Sequence, residues 1–288
     1  MITRIVLTCI LAGSLAAPGC GSEASADGGG TEVVAGFYPL AFAAEEIGGD
    51  AVSVTNLTPA GAEPHDVELS VRDVETVRGA DLVLYLGEGF QPALESALES
   101  ADVRAVDLLE GLDLREEAGG EEHADPHVWL DPALFAKIAE RIGAELGGGS
   151  SARQLASQLR ALDRDFRDGL ARCERRELVT AHDAFGYLGE RYGLEVTPIG
   201  GVSPEAEPSP RDLERVASLV RERGVTTVFV EPLLSPAVGE TVAREAGAAT
   251  AVLNPLEGLT PEEVEAGEDY FSVMRTNLDA LRAGLGCP

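Results

Sequence analysis

Residues 151–172 read SARQLASQLRALDRDFRDGLAR. Leu155, Leu159, Leu162, Phe166 and Leu170 recur at intervals of three or four, which places them along one face of an α-helix. At 1.5 Å per residue that helix would run about 30–35 Å, far enough to cross a small protein. The sequence on either side of it decides the fold. Upstream, strand-like runs at Glu32–Gly36, Val52–Leu57, Asp81–Leu86 and Val103–Leu108 alternate with helical patterns. A helix follows from about Pro132 to Leu146, and Gly147-Gly148-Gly149-Ser150 punctuates. Downstream, from about Glu177, strands are expected near Leu178–Thr180, Glu195–Ile199, Thr226–Val230 and Thr250–Leu253, again with helices between. Ser209-Pro210-Arg211-Asp212 carries a helix start: a capping hydroxyl, proline at the first helical position and an acid in the first turn. Such alternation argues for βαβ units on mainly parallel sheets. The fold class is therefore α/β, with two lobes, at 32–150 and 174–288, joined by one long backbone helix at 151–173. Ligands of open α/β sheets bind beyond the carboxyl ends of the strands, which directs attention to an interlobe cleft.

The composition narrows the function. A chain of 288 residues with 44% hydrophobic content can bury a core in each lobe. Fifty acids against 22 bases give a formal charge of −28. That surface repels phosphate backbones and gathers cations, so nucleic acid is excluded as a partner.

The amino terminus reads as an export signal over residues 1–20, with Arg4, an apolar stretch from Ile5 to Ala17, and a small-residue exit at Pro18-Gly19-Cys20. It is too short to be a comfortable membrane span. Cys20 is the candidate lipidation site, because the glycine- and serine-rich stretch after it, residues 21–31, suits a flexible tether for an anchored domain. An ordinary cleaved signal with an incidental cysteine is the alternative. Of the four cysteines, at 9, 20, 173 and 287, only Cys173 and Cys287 then remain. They are a possible disulfide in an oxidising compartment, or two separate thiols.

Chemistry concentrates on histidine. All four histidines, His65, His123, His127 and His182, lie in short polar segments beside acids. His65, His127 and His182 are spaced roughly 60 residues apart, each near the end of an expected strand, which excludes local zinc-finger spacing. Three converging imidazoles would leave a fourth position for a carboxylate or water on a divalent ion. Neighbouring carboxylates could accept the second ring N–H of each: Asp66, Asp125 or Asp131, and Asp183. Glu231, at the end of the Val225–Val230 strand, is a further candidate to orient a ligand histidine. The segment from Asp107 to Asp125 holds eight acids, with Arg115 its only base, and reads as a solvated loop. Trp129 reads as a packing residue.

Four segments carry a resemblance: Pro64-His65-Asp66 with Leu69 and Ser70; Asp125-Pro126-His127-Val128-Trp129-Leu130-Asp131-Pro132; His182-Asp183-Ala184-Phe185-Gly186-Tyr187-Leu188; and Ser203-Pro204-Glu205-Ala206-Glu207-Pro208-Ser209. In this order, over about 33–285, they resemble the zinc-uptake solute-binding lipoproteins of bacterial metal ABC transporters, the cluster A-I family. The resemblance implies one metal ion in the cleft, with His65, His127 and His182 as ligands. It favours zinc, because manganese relatives usually have Glu at the position of His182. The family usually has an Asp where Asn254 stands, so Asn254 is expected to bind weakly as a fourth ligand or to leave a water on the metal. The implied function is an extracytoplasmic protein that captures one Zn2+ per chain and delivers it to the membrane permease. It would be a monomer held at the bacterial cell membrane by a lipid anchor, and would perform no bond chemistry. A manganese or other divalent-metal receptor, or an adhesin, on the same scaffold is the alternative. A zinc hydrolase has less support, because the chain has no His-Glu-x-x-His, no Gly-x-Ser-x-Gly and no Walker-type loop.

Overall fold

The computed structural model describes residues 30–116, 124–202 and 208–288. The export signal, the lipidation at Cys20, the tether up to residue 29, His123 and the segment Ser203-Pro204-Glu205-Ala206-Glu207 lie outside the described residues.

Two four-stranded sheets form, each wholly parallel. The first contains β1 (Thr31–Ala35), β2 (Val52–Asn56), β3 (Leu82–Tyr85) and β4 (Ala105–Asp107) in the order β2-β1-β3-β4. Val33 lies opposite Val54 on one side and Leu82 on the other, and Leu84 lies opposite Val106. Parallel strands need crossovers. Here these are α1 (Tyr38–Gly48), α2 (Val71–Gly79) and α3 (Pro92–Glu99). The start of α2 is fixed by a reciprocal capping box between Ser70 and Asp73.

The second sheet repeats the plan with β5 (Glu177–Thr180), β6 (Glu195–Pro198), β7 (Thr227–Val230) and β8 (Ala249–Val252), in the order β6-β5-β7-β8. Its helices are α6 (Gly186–Tyr192), α7 (Pro210–Arg223), α8 (Ala237–Ala246), α9 (Pro261–Ala266) and α10 (Tyr270–Leu285). Ser209 caps α7 as its sequence foretells, accepting from the Asp212 N–H.

Between the lobes, α4 (Pro132–Leu146) and α5 (Gly149–Leu170) form an antiparallel pair. A Cβ on Gly143 would lie 2.2 Å from that of Ala152, so only glycine permits this approach. The backbone helix therefore begins two residues earlier than its sequence period suggests and ends earlier as well. At its far end Arg176 donates to the carbonyls of Leu170 (2.9 Å) and Ala171 (3.0 Å), satisfying groups the helix leaves open. All five members of the apolar stripe, Leu155, Leu159, Leu162, Phe166 and Leu170, are buried. They belong to one apolar core that runs from Val33 and Leu84 in the first lobe to Phe229, Leu253 and Leu285 in the second.

Cys173, just past α5, is joined by a disulfide to Cys287 beyond α10.

Candidate metal centre

Each histidine is placed by a tight local structure. After β2 the chain reaches a single 3-10 turn, Pro64–Asp66, whose first N–H groups are open; the Glu63 carboxylate accepts from the His65 N–H at 3.4 Å. The Phe90 ring then meets the His65 imidazole edge to face, with centroids 4.7 Å apart. His127 opens the 3-10 turn Val128–Leu130. One oxygen of Asp125 accepts both from its backbone N–H (3.0 Å) and from its Nδ1 (2.8 Å). His182 follows β5, where the Thr180 hydroxyl donates to its carbonyl (2.8 Å). Glu231, at the end of β7, accepts from the His182 N–H (3.2 Å) and holds its other oxygen 2.6 Å from Nδ1.

Fixing Nδ1 of His127 and His182 leaves Nε2 of both facing inward. The three ring centroids lie 5.4–6.3 Å apart. At the point they face stands a residue that motif reasoning passed over. One carboxylate oxygen of Glu257 lies 3.0 Å from Nε2 of His182, 3.1 Å from that of His127 and 3.4 Å from that of His65. One ligand atom from each of the four side chains falls within 4.8 Å of every other. Two donors come from each lobe. His127, His182 and Glu257 are almost wholly buried, and the His65 side chain is 8% exposed.

Asn254, expected as the fourth donor, is not among them. Its Oδ1 accepts from the Leu256 N–H (2.7 Å) and its Nδ2 donates to Glu263 (3.0 Å). Asn277 grips its backbone from both sides, accepting from its N–H (2.8 Å) and donating to its carbonyl (2.6 Å). Both ends of the amide are committed to shaping the turn, so the oxygen that reaches the centre comes three residues later. The available signal was that Glu257 is the only acid between Val252 and Glu262, in the loop beyond the carboxyl end of β8.

The orienting carboxylates also differ in part from expectation. Asp125 serves His127, whereas Asp131 caps α4 and pairs with Arg191 at 3.0 Å. Asp66 is exposed, and Asp183 is not the acid on the His182 ring, which Glu231 holds. Gly186 in the His182 motif has a steric reason: a Cβ there would come within 2.8 Å of both Arg115 Nε and Asp125 Oδ2.

Burial alone would neutralise these groups, and their mutual contacts decide the outcome. Burial works to raise the Glu257 carboxyl, but the three imidazoles overturn it and hold it well below the usual carboxylate range. Burial likewise opposes the charged form of His127, yet hydrogen bonds to Asp125 and Glu257 push it up to about 9. His182 is raised in the same way against its burial, by Glu231 and Glu257. His65, which has no carboxylate on its Nδ1 among the described residues, is lowered by burial. Burial first, and the nearby Glu257 second, push Glu63 up to about 8.

Three imidazole nitrogens and one carboxylate oxygen make a closed set of four protein donors, the number and type that zinc takes in tetrahedral sites. Imidazole-rich sets favour zinc, copper or nickel over manganese, which prefers oxygen.

The profile of a family described as zinc-uptake complex component A, periplasmic, matches residues 33–284. The chain belongs to this family. Among zinc-uptake components, the high-affinity zinc uptake system protein ZnuA of Bacillus subtilis (strain 168) is 35% identical over 297 residues, covering 92% of each protein. The zinc-binding lipoprotein AdcA of Streptococcus pneumoniae serotype 4 is 34% identical over 287 residues, and the chain spans 57% of its length. Among solved structures, the laminin-binding protein Lmb of Streptococcus agalactiae, described as having adhesin and metal transporting activity, superposes with a TM-score of 0.82 at 30% identity. That match covers 89% of this chain and 99% of Lmb. The Zn(II)-bound ZnuA-like domain of S. pneumoniae AdcA gives 0.76 at 34% identity, over 89% and 99% of the two chains.

Proposed function

We propose that this zinc-uptake component is the extracytoplasmic receptor of an ABC transporter, binding one zinc ion at His65, His127, His182 and Glu257 and releasing it to the membrane permease. The observation that carries this reading is the convergence of four buried donors, two from each lobe, on one point. A hydrolytic zinc site keeps a coordination position for water. Here a fourth protein side chain, Glu257, stands at that position, which favours carriage over hydrolysis. Asp125 and Glu231 hold the rings of His127 and His182, a support that keeps imidazole neutral and correctly turned once metal replaces its proton. The relatives named as lipoproteins support anchoring through Cys20, and the charge of −28 raises the concentration of cations around the protein. No helix among the described residues is long and apolar enough to cross a membrane.

Elemental analysis of protein purified without chelator, followed by competition with a chromophoric chelator, tests the reading. One tightly held zinc per chain is expected. Protein that returns metal-free and takes up no zinc would count against it.

A further inference from the structure

The Pro255–Leu256 peptide unit is held from both sides. Its carbonyl accepts from the indole N–H of Trp129 at 2.7 Å, and its N–H donates to Asn254 Oδ1 at 2.7 Å. The first contact crosses the cleft, because Trp129 belongs to the 3-10 turn that follows His127 in the first lobe, and Pro255 follows β8 in the second. Directly after this unit Leu256 adopts φ 56°, a left-handed conformation that a branched side chain rarely takes. Such a backbone persists only where its surroundings over-determine it. The turn it makes delivers the next residue, Glu257, to the three imidazoles.

The indole is itself fixed. It is 1% exposed, its ring meets Phe37 at 4.7 Å and Phe90 at 5.5 Å, and its backbone carbonyl accepts from the Tyr270 hydroxyl at 2.6 Å. Its ring centroid lies 5.1 Å from that of His127. A phenyl ring would fill most of that space, but only the indole can donate to the facing loop. We propose that Trp129 is a positioning residue for the fourth donor: its hydrogen bond to Pro255 sets Glu257 over the histidines, so that one three-residue segment both supplies a ligand and fixes the ligand from the opposite lobe. This rests on the zinc-binding reading above.

The test is a double-mutant cycle on zinc release into excess chelator, with wild type, Trp129→Phe, Glu257→Gln and the double variant. Trp129→Phe should release zinc about tenfold faster than wild type, the usual effect of losing a buried hydrogen bond that orients a ligand. In the Glu257→Gln background the same substitution should have little effect. The visible spectrum of the Co2+-loaded protein should also shift in Trp129→Phe, as the carboxylate leaves its place on the metal. An unchanged release rate in Trp129→Phe, or a tenfold change that persists without the Glu257 carboxylate, overturns the proposal. Wild type that binds no zinc defeats the parent reading instead, so the two failures are distinct. If Trp129→Phe does not fold, Tyr270→Phe, which frees the Trp129 carbonyl, replaces it in the cycle with the same expected dependence on Glu257.

Discussion

Glu231 and Asn254 both lie just beyond a strand of the second sheet, and their surroundings give them opposite importance. Glu231 grips His182 through both its backbone N–H and its ring. Glu231→Gln keeps the shape and removes the charge that holds Nδ1, so zinc affinity by chelator competition should fall about 10- to 100-fold. Asn254→Asp, by contrast, should bring no gain. It would replace the amide that donates to Glu263 with a second carboxylate 3.0 Å away, so urea denaturation should show a loss of about 1–3 kcal/mol. A rise in zinc affinity would contradict that assignment. Protonation acts at the same scale. The His127 pKa is raised from 6.5 to about 9, so in the metal-free protein its proton contributes stability that is complete below pH 6.5 and lost as pH rises through about 9. Zinc must displace that proton, and affinity should therefore climb with pH up to about 9. Affinity that is flat from pH 7 to 9 would speak against His127 as a ligand. The histidines were legible because three separated imidazoles, each beside acids, are uncommon in a chain with only four. Glu257 was not, because among fifty acids nothing in its neighbours marks it. Its role depends on the left-handed turn at Leu256 and on the amides of Asn254 and Asn277, which no short pattern records.

Secondary structure was the most readable level. All eight strands lie within two residues of their sequence-based limits, since hydrophobic runs between helical periods leave little freedom. The ends of α5 were less legible, because its start depends on the close approach of Gly143 to Ala152 and its end on Arg176, a residue outside the helix. What joins the elements across the lobes was not legible at all. Arg191 on α6 reaches Asp131 at the head of α4 (3.0 Å) and Asp163 on α5 (2.6 Å). Burial and the arginine compete over these acids: Asp131 is raised by its burial, while Arg191 and Arg167 hold Asp163 low against its own. Arg191→Met would leave both carboxylates without that partner. Chemical denaturation should show a loss of about 1–3 kcal/mol, with zinc stoichiometry unchanged.

At the scale of the whole molecule, the acid-rich segment between β4 and the His127 motif closes at its base. Glu116 bridges Ala124, and the Asp125 N–H donates to the Arg115 carbonyl at 3.0 Å. The ligands stand outside it, so deleting residues 116–122 should leave equilibrium zinc affinity within about threefold, well below the 10- to 100-fold loss that follows when a residue supporting a ligand is removed. A larger drop in a chelator competition would place part of the centre in that segment. Two lobes about one long helix were readable from the alternation of elements, but the sharing of one apolar interior between them was not, since periodicity marks a buried face without naming its neighbour. That shared interior governs how cargo leaves. Prising the halves apart would wet a seam of leucine and phenylalanine, at roughly 25 cal/mol for every Å² uncovered. A wide swing is therefore costly, and because Leu253, Leu256 and Leu259 on either side of Glu257 belong to the same interior, drawing that carboxylate off the cargo also uncovers part of it.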